Sequence, residues 1–234
     1  MDRIDIHRVA SLDLTCEAWE WPFVRDNRGM IEAHFAAEKA KKPALFNGTI
    51  LLTNAVDVAG DRLCGRFFRA DFASFLAWRD FGFPGEGITN AFGMGALRGR
   101  DGAFLLGEMA QHTSNAGRVY FPSGTPDSND IADGRVDIAG SISREVAEET
   151  GLTEADYEAD PVFYCVAMKP LLAIIRILNL QISAADARDR IVVNLASQRL
   201  PEFSAVHIVR DARDMLPAMP AFVGAFIRAM TDDR

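Results

Sequence analysis

Cysteine is scarce in this chain. Cys16, Cys64 and Cys165 are the only three among 234 residues. Their odd number and wide spacing fit buried free thiols in a reducing cytoplasm better than a disulfide framework. Long apolar runs are also missing. No window approaches the ~18 uninterrupted apolar residues of a membrane-spanning helix, and the start Met1-Asp2-Arg3-Ile4-Asp5 has no apolar export core. The expected location is the cytoplasm, with no membrane partner. Positive charge is short as well, with 25 Lys and Arg against 33 Asp and Glu, a net charge of −8 and a pI near 5.0. Such a chain repels nucleic acid and anionic membranes, and no basic segment or helix-turn-helix is appended to overcome that. Any anionic ligand must be met by local charge. Metal-binding histidine patterns are absent: His112 and His207 stand alone, and His207 falls in an apolar strand where a structural role is expected. The glycines of Phe92-Gly93-Met94-Gly95 open no helix and make no dinucleotide fingerprint. Internal repeats and low-complexity tracts are lacking.

What is present is an ordinary globular composition, 49% hydrophobic and 25% charged, in a chain long enough for a substantial core. Alternation over Ile4 to Cys16 predicts one or two strands, and Trp19 and Trp21 are expected as core anchors. Pro22 to Lys42 turns helical, with Ile31 and Phe35 apolar and Lys39, Lys41 and Lys42 near the C-terminal end, where they suit the helix dipole. Ala44 to Leu52 reads as a strand bulged at Asn47-Gly48, with Arg62 to Arg69 as its hairpin partner and a short helix capped by Asp71 after it. The glycine-rich stretch from Phe81 to Asn90 is a connection and divides residues 1–89 from 90–234. Beyond it, Ala91 to Leu97 and Ala103 to Ala110 form a hairpin, and polar Gln111 to Gly117 is expected to line a site. Strands are predicted at Val162 to Ala167, Leu171 to Gln181 and Phe203 to Val209, and helices at Ala184 to Leu200 and Leu216 to Met230. The order places the chain in the α/β (α+β) class.

The chemistry gathers at Arg144-Glu145-Val146-Ala147-Glu148-Glu149-Thr150-Gly151-Leu152. At 3.6 residues per turn, Glu145, Glu148 and Glu149 share one helix face, while Ile142 and Val146 form a separate apolar stripe. Like charges this close repel, and a divalent cation reverses the sign. Oxygen ligands without His or Cys suit Mg²⁺ or Mn²⁺ rather than zinc. This stretch resembles the second half of the Nudix box, G-x5-E-x7-R-E-U-x-E-E-x-G-U with U aliphatic, and matches all seven of its restricted positions from Arg144 to Leu152. Phe121-Pro122-Ser123-Gly124 resembles the turn that opens the box. Residues 125–135 then number eleven where the motif has five, and Val136 stands where the motif has its first glutamate. A six-residue insertion within Thr125 to Arg135, rich in turn formers, reads as surface loop. Asp137 either replaces the missing carboxylate or caps the helix that starts at Ile138, and capping is preferred.

The resemblance implies a Nudix fold for 90–234, a mixed sheet flanked by helices, behind an N-terminal α/β extension. Leu45-Phe46-Asn47-Gly48 and Arg79-Asp80-Phe81 are similar, more faintly, to the extension of the UDP-glucose and UDP-galactose diphosphatase branch. The implied activity is metal-dependent hydrolysis of the diphosphate bond in a nucleoside diphosphate derivative, with a nucleotide sugar as first substrate. A quiet nucleotide sensor, or a pyrophosphatase of ADP-ribose or nucleoside triphosphates, is the alternative. Glu148 and Glu149 would bind Mg²⁺ or Mn²⁺, with Glu145 as ligand or base, the Gly124 carbonyl as a further ligand and Arg144 orienting a carboxylate. Glu202 is the first choice for a general base outside the box and Glu158 the second. Arg118 is a candidate phosphate ligand, with a surface ion pair as its other reading. A homodimer is one assembly state left open.

Overall fold

A computed structural model describes residues 4–231, so Met1–Arg3 of the reading above lie outside it. In chain order the elements are β1 (Asp5–Val9), β2 (Ser11–Cys16), α1 (Pro22–Lys41), β3 (Thr49–Ala59), β4 (Arg62–Asp71) and α2 (Phe72–Asp80). Then follow β5 (Asn90–Arg98), β6 (Phe104–Met109), β7 (Val119–Tyr120), β8 (Ser123–Gly124), β9 (Ile131–Ala132), β10 (Arg135–Val136) and α3 (Ile138–Thr150). The chain closes with β11 (Tyr157–Ala159), β12 (Phe163–Met168), β13 (Leu171–Leu180), α4 (Ala184–Ser197), β14 (Phe203–Val209) and α5 (Ala221–Thr231). The class is mixed α+β, with two mixed sheets flanked by helices.

The larger sheet runs β1-β12-β13-β5-β6-β14, with β11 on β13, β8 on β5 and β7 on β6. Its centre is the parallel pair β13 and β5. The sequence of β13, LLAIIRILNL, is apolar on both faces because both are covered. One face packs on α5 through Met94, Ile175, Phe222 and Phe226. The other meets α3, α4 and the smaller sheet through Leu97, Leu178, Ile142, Ile191 and Leu14. The smaller sheet runs β3-β4-β2-β10-β9. Trp21, Leu52, Phe68, Phe75 and Trp78 form a separate aromatic core among α1, α2, β3 and β4. Strands cross the division at residue 90 in both directions: β1 pairs with β12, and β10 pairs with β2.

Two glycines place the glutamate helix. Gly93 and Gly95 of β5 face α3, and a Cβ there would stand 2.7 Å from Ile142 Cγ1 and 2.5 Å from Val146 Cγ2 respectively. The helix therefore lies directly on strand backbone, with Ile138, Ile142 and Val146 buried against it. Its ends are fixed locally. Asp137 Oδ1 accepts the Gly140 N–H at 2.9 Å, and Gly151 ends the helix in the left-handed region at φ 76°.

Several expectations need correction. The strand placed at Ala44 to Leu52 begins only at Thr49, because Asn47 is used as a cap: its Oδ1 accepts the Ala73 N–H at 2.7 Å at the start of α2. The final helix begins at Ala221 rather than Leu216, since Pro217 and Pro220 remove the N–H groups a helix would need there. The helix drawn to Leu200 ends at Ser197, ahead of Pro201, which pushes the preceding residue out of the helical region. Trp21 is buried as expected, but Trp19 is 39% exposed and meets the core edge-on at Phe68. Only Cys165 is a buried thiol, whereas Cys16 and Cys64 are half-buried. The segment read as surface loop is folded: it contains a 3₁₀ turn at Ser128–Asp130, β9 and β10, and its Asp130 is buried.

The glycine contacts predict opposite outcomes for two alanine substitutions in urea unfolding. Gly95→Ala overpacks the contact between β5 and α3 and should cost about 1–3 kcal/mol. Gly29→Ala, in α1 with nothing within 4 Å of its new methyl, should be neutral or stabilise by up to ~1 kcal/mol.

Candidate functional site

The carboxylates of α3 differ sharply in surroundings. Glu149 is 3% exposed, and its Oε2 accepts the Ser123 N–H at 2.9 Å. Burial drives its carboxyl well above the usual range, the Ser123 bond pulls the other way, and Glu202, Glu145 and Glu148 push it further up. Glu145 lies against Gly124, where a Cβ would collide with the carboxylate and turn it aside. Its carboxyl is pushed up to about 7, chiefly by burial, with Glu148 and Glu202 adding to the rise and Arg144 opposing it. Burial outweighs the Arg144 hydrogen bond, short as that is. The Glu148 side chain is 62% exposed, with its Oε2 3.6 Å from Arg144 Nη1.

Arg144 links this cluster to the insertion. Its Nη1 donates to Glu145 Oε1 at 2.7 Å, and its Nη2 donates to both oxygens of Asp130 at 3.0 and 3.2 Å. The Asp130 side chain is only 5% exposed, and its Oδ2 also accepts the Asp127 N–H at 2.8 Å. Val136, in the position of the absent glutamate, points into the core at 7% exposure. Asp137 is the helix cap and does not reach this network. A buried carboxylate for Arg144 is thus supplied by Asp130, from within the extra residues. Sequence reading missed it because the acid lies off the motif's spacing. The available signal was an Asp three residues after Asp127, the pattern of a capping box.

The site opens on a cavity of about 910 Å³. Glu145, Ser123, Gly124 and Glu202 line it, as do His112 and Arg118. Gln111 to Gly117 contributes as expected, through residues 112–115. Glu202 is exposed just before β14 and acts electrostatically on both Glu145 and Glu149. Glu158 is not brought to the site: it lies on β11, opposite Asn179, and is exposed. Arg118 is exposed at the cavity and makes no ion pair among the described residues, which removes the surface-pair reading. His207 is paired with Glu108 at 3.0 Å, a structural role.

Among the described residues no three His, Cys, Asp or Glu side chains are drawn together tightly enough to hold a metal ion. Glu145 is turned onto Arg144, Glu149 onto the Ser123 N–H, and the exposed Glu148 stands 3.6 Å from Arg144. The donor chemistry nevertheless fits a hard divalent cation. The groups are all oxygen, they carry more negative charge than Arg144 neutralises, and burial penalises that charge.

No family model matches the chain, and no curated protein matches it. Among solved structures, a MutT protein from Methanosarcina mazei Go1 is 18% identical with a TM-score of 0.40, covering 62% of this chain and 94% of that one. A Nudix hydrolase from M. smegmatis, RenU, is 15% identical with a TM-score of 0.38, covering 61% and 84%. An ADP-ribose pyrophosphatase from Streptococcus suis is 18% identical with a TM-score of 0.36, covering 61% and 89%. Likeness at this level carries no functional argument, and the residues of the site must supply it.

The Arg144 bridge predicts a loss on Asp130→Asn. Removing one charge of a fully buried pair costs about 3–5 kcal/mol, and with the Arg144 side chain 32% exposed the expected loss is nearer 1–3 kcal/mol. Denaturant unfolding at neutral pH measures it, and an unchanged midpoint would show that the bridge does not stabilise the fold.

Proposed function

We propose that the chain is a Nudix-type hydrolase that cleaves the diphosphate bond of a nucleoside diphosphate derivative with Mg²⁺ or Mn²⁺, a nucleotide sugar being the first substrate class to test. The observation that carries this reading is the pair of buried, mutually repelling carboxylates, Glu145 and Glu149, beside Glu148 and Glu202 at the edge of a cavity large enough for such a ligand. The box resemblance names the same residues independently.

In this reading Glu145, Glu148 and Glu149 would hold the cation, with the Gly124 carbonyl as a further ligand. The ion would supply charge neutralisation at the phosphoryl oxygens and lower the pKa of a water. Arg144 fixes the Glu145 carboxylate through the 2.7 Å bond and is itself held by Asp130. The Ser123 N–H fixes Glu149 in the same way. Glu202 is outside this hydrogen-bonded set and exposed, which leaves its carboxylate free to take the proton of the attacking water. On the cavity wall Arg118 offers the diphosphate a positive charge.

Turnover should be detected by phosphate release, with a coupling phosphatase, from a panel of UDP-sugars, ADP-sugars, ADP-ribose, dinucleoside polyphosphates and nucleoside triphosphates. Glu149→Gln should lower kcat/KM by on the order of 10²-fold or more, since the charge stabilisation it disrupts is worth several kcal/mol. The same variant should melt no lower than the parent in EDTA, because it removes a buried charge while keeping an acceptor for Ser123. Full activity of Glu149→Gln at low Mg²⁺ would refute the assignment. Binding without turnover across the panel would leave a nucleotide sensor.

A further inference from the structure

The cavity carries two separate groups of charge. The charges acting on Glu145 are those of Arg144, Glu148 and Glu202. Those acting on Tyr120, on the same cavity, are Arg118 and Arg79. Burial raises the Tyr120 hydroxyl above its ordinary value, and both arginines pull it back, so the two guanidinium groups lie within electrostatic reach of one hydroxyl. They come from distant parts of the chain. Arg118 immediately precedes β7, and Arg79 belongs to the last turn of α2, in the N-terminal segment.

Arg79 is held from behind. Its Nε donates to Asp80 Oδ1 at 2.9 Å, and the other oxygen of Asp80 meets His34 Nε2 of α1 at 2.9 Å. The terminal nitrogens of Arg79 have no protein partner among the described residues, and neither does the Arg118 guanidinium. The Arg118 guanidinium and the outer nitrogens of Arg79 thus leave donors open toward the cavity that both residues line. Phe75, Phe83 and Phe92 line the same cavity and lower its polarity, which strengthens any ion contact made there.

We propose that Arg79, Arg118 and the Tyr120 hydroxyl form an anion subsite that takes a phosphoryl group of the ligand, with Arg79 supplied by the N-terminal segment. A guanidinium fork matches phosphate oxygens in two parallel hydrogen bonds, and a phenol adds a third donor. The subsite rests on the hydrolase reading only in its assignment to the diphosphate: one phosphoryl group lies at the carboxylates and its neighbour at the arginines. The N-terminal segment then selects ligand, through a residue that lines the same cavity as Glu145.

The test is calorimetric titration of the full chain with non-hydrolysable imidodiphosphate, in Mg²⁺ and again in EDTA. Arg79→Ala and Arg118→Ala should each weaken binding about tenfold or more, as expected for loss of a charged hydrogen-bonding group. Arg188→Ala, which removes the same charge from the outer surface of α4, should bind as the parent does. Arg79→Lys keeps a cation without the fork and should fall between; it serves also if Arg79→Ala fails to fold. On a turned-over substrate, Arg79→Ala should raise KM with little change in kcat. No binding by the parent, or equal binding by the parent and both cavity variants, overturns the subsite. Arginine-dependent binding with no turnover of any substrate would sustain the subsite and remove the hydrolase reading. Turnover with a KM indifferent to Arg79 would do the reverse.

Discussion

Arg144 is shared among three acids, and the geometry of the site depends on that sharing. One nitrogen meets Glu145 and, at 3.6 Å, Glu148, and the other is committed to Asp130. Without Asp130 the guanidinium would be free to follow Glu145 or Glu148, and the carboxylate nearest Gly124 would lose its fixed orientation. The cost of holding Glu145 and Glu149 away from water is met by the rigidity of α3 on the bare backbone of β5. Gly93 and Gly95 permit that approach, and Ile142 and Val146 fill it. A helix seated one side-chain layer further out would leave these acids solvated and unremarkable in charge.

Most elements were legible in the sequence because their signals were local. The acid helix announced both ends, Asp137 by capping and Gly151 by its left-handed stop, and its apolar stripe by a four-residue period. Strands β12, β13 and β14 followed from runs of Val, Ile and Leu. Errors arose where a residue answered to a distant partner. Asn47 looked like a bulge in its own strand and instead caps a helix that starts at residue 72. The insertion looked like solvent loop because its composition is that of turns, yet those turns bury an aspartate.

The candidate site divides in the same way. Glu145, Glu148 and Glu149 could be listed from spacing alone, and Glu202 and Arg118 do line or face the same cavity. Glu158 fell away because β11 carries it along the edge of the sheet, opposite Asn179. Asp130 carried only a capping-box signal and Arg79 only a faint resemblance, and neither signal says what the side chain meets: Asp130 reaches Arg144 because the insertion folds back on the helix, and Arg79 reaches the cavity because α2 is laid beside it.

The exchange of strands across residue 90 also sets an order of assembly. Asp5 pairs with Ala167, and Thr15 pairs with Arg135, so each sheet waits for residues that leave the ribosome long after its first strand. The β3–β4 hairpin and the aromatic core around Trp78 can form early from local contacts. Through that interval β1 has no partner, and one edge of β2 is open until β10 arrives, an exposure that invites pairing with another chain. The residues that complete the smaller sheet are those of the insertion itself. Their emergence closes the open edge and delivers Asp130 in one event, so the acid centre gains its fixed arginine only as that sheet is completed.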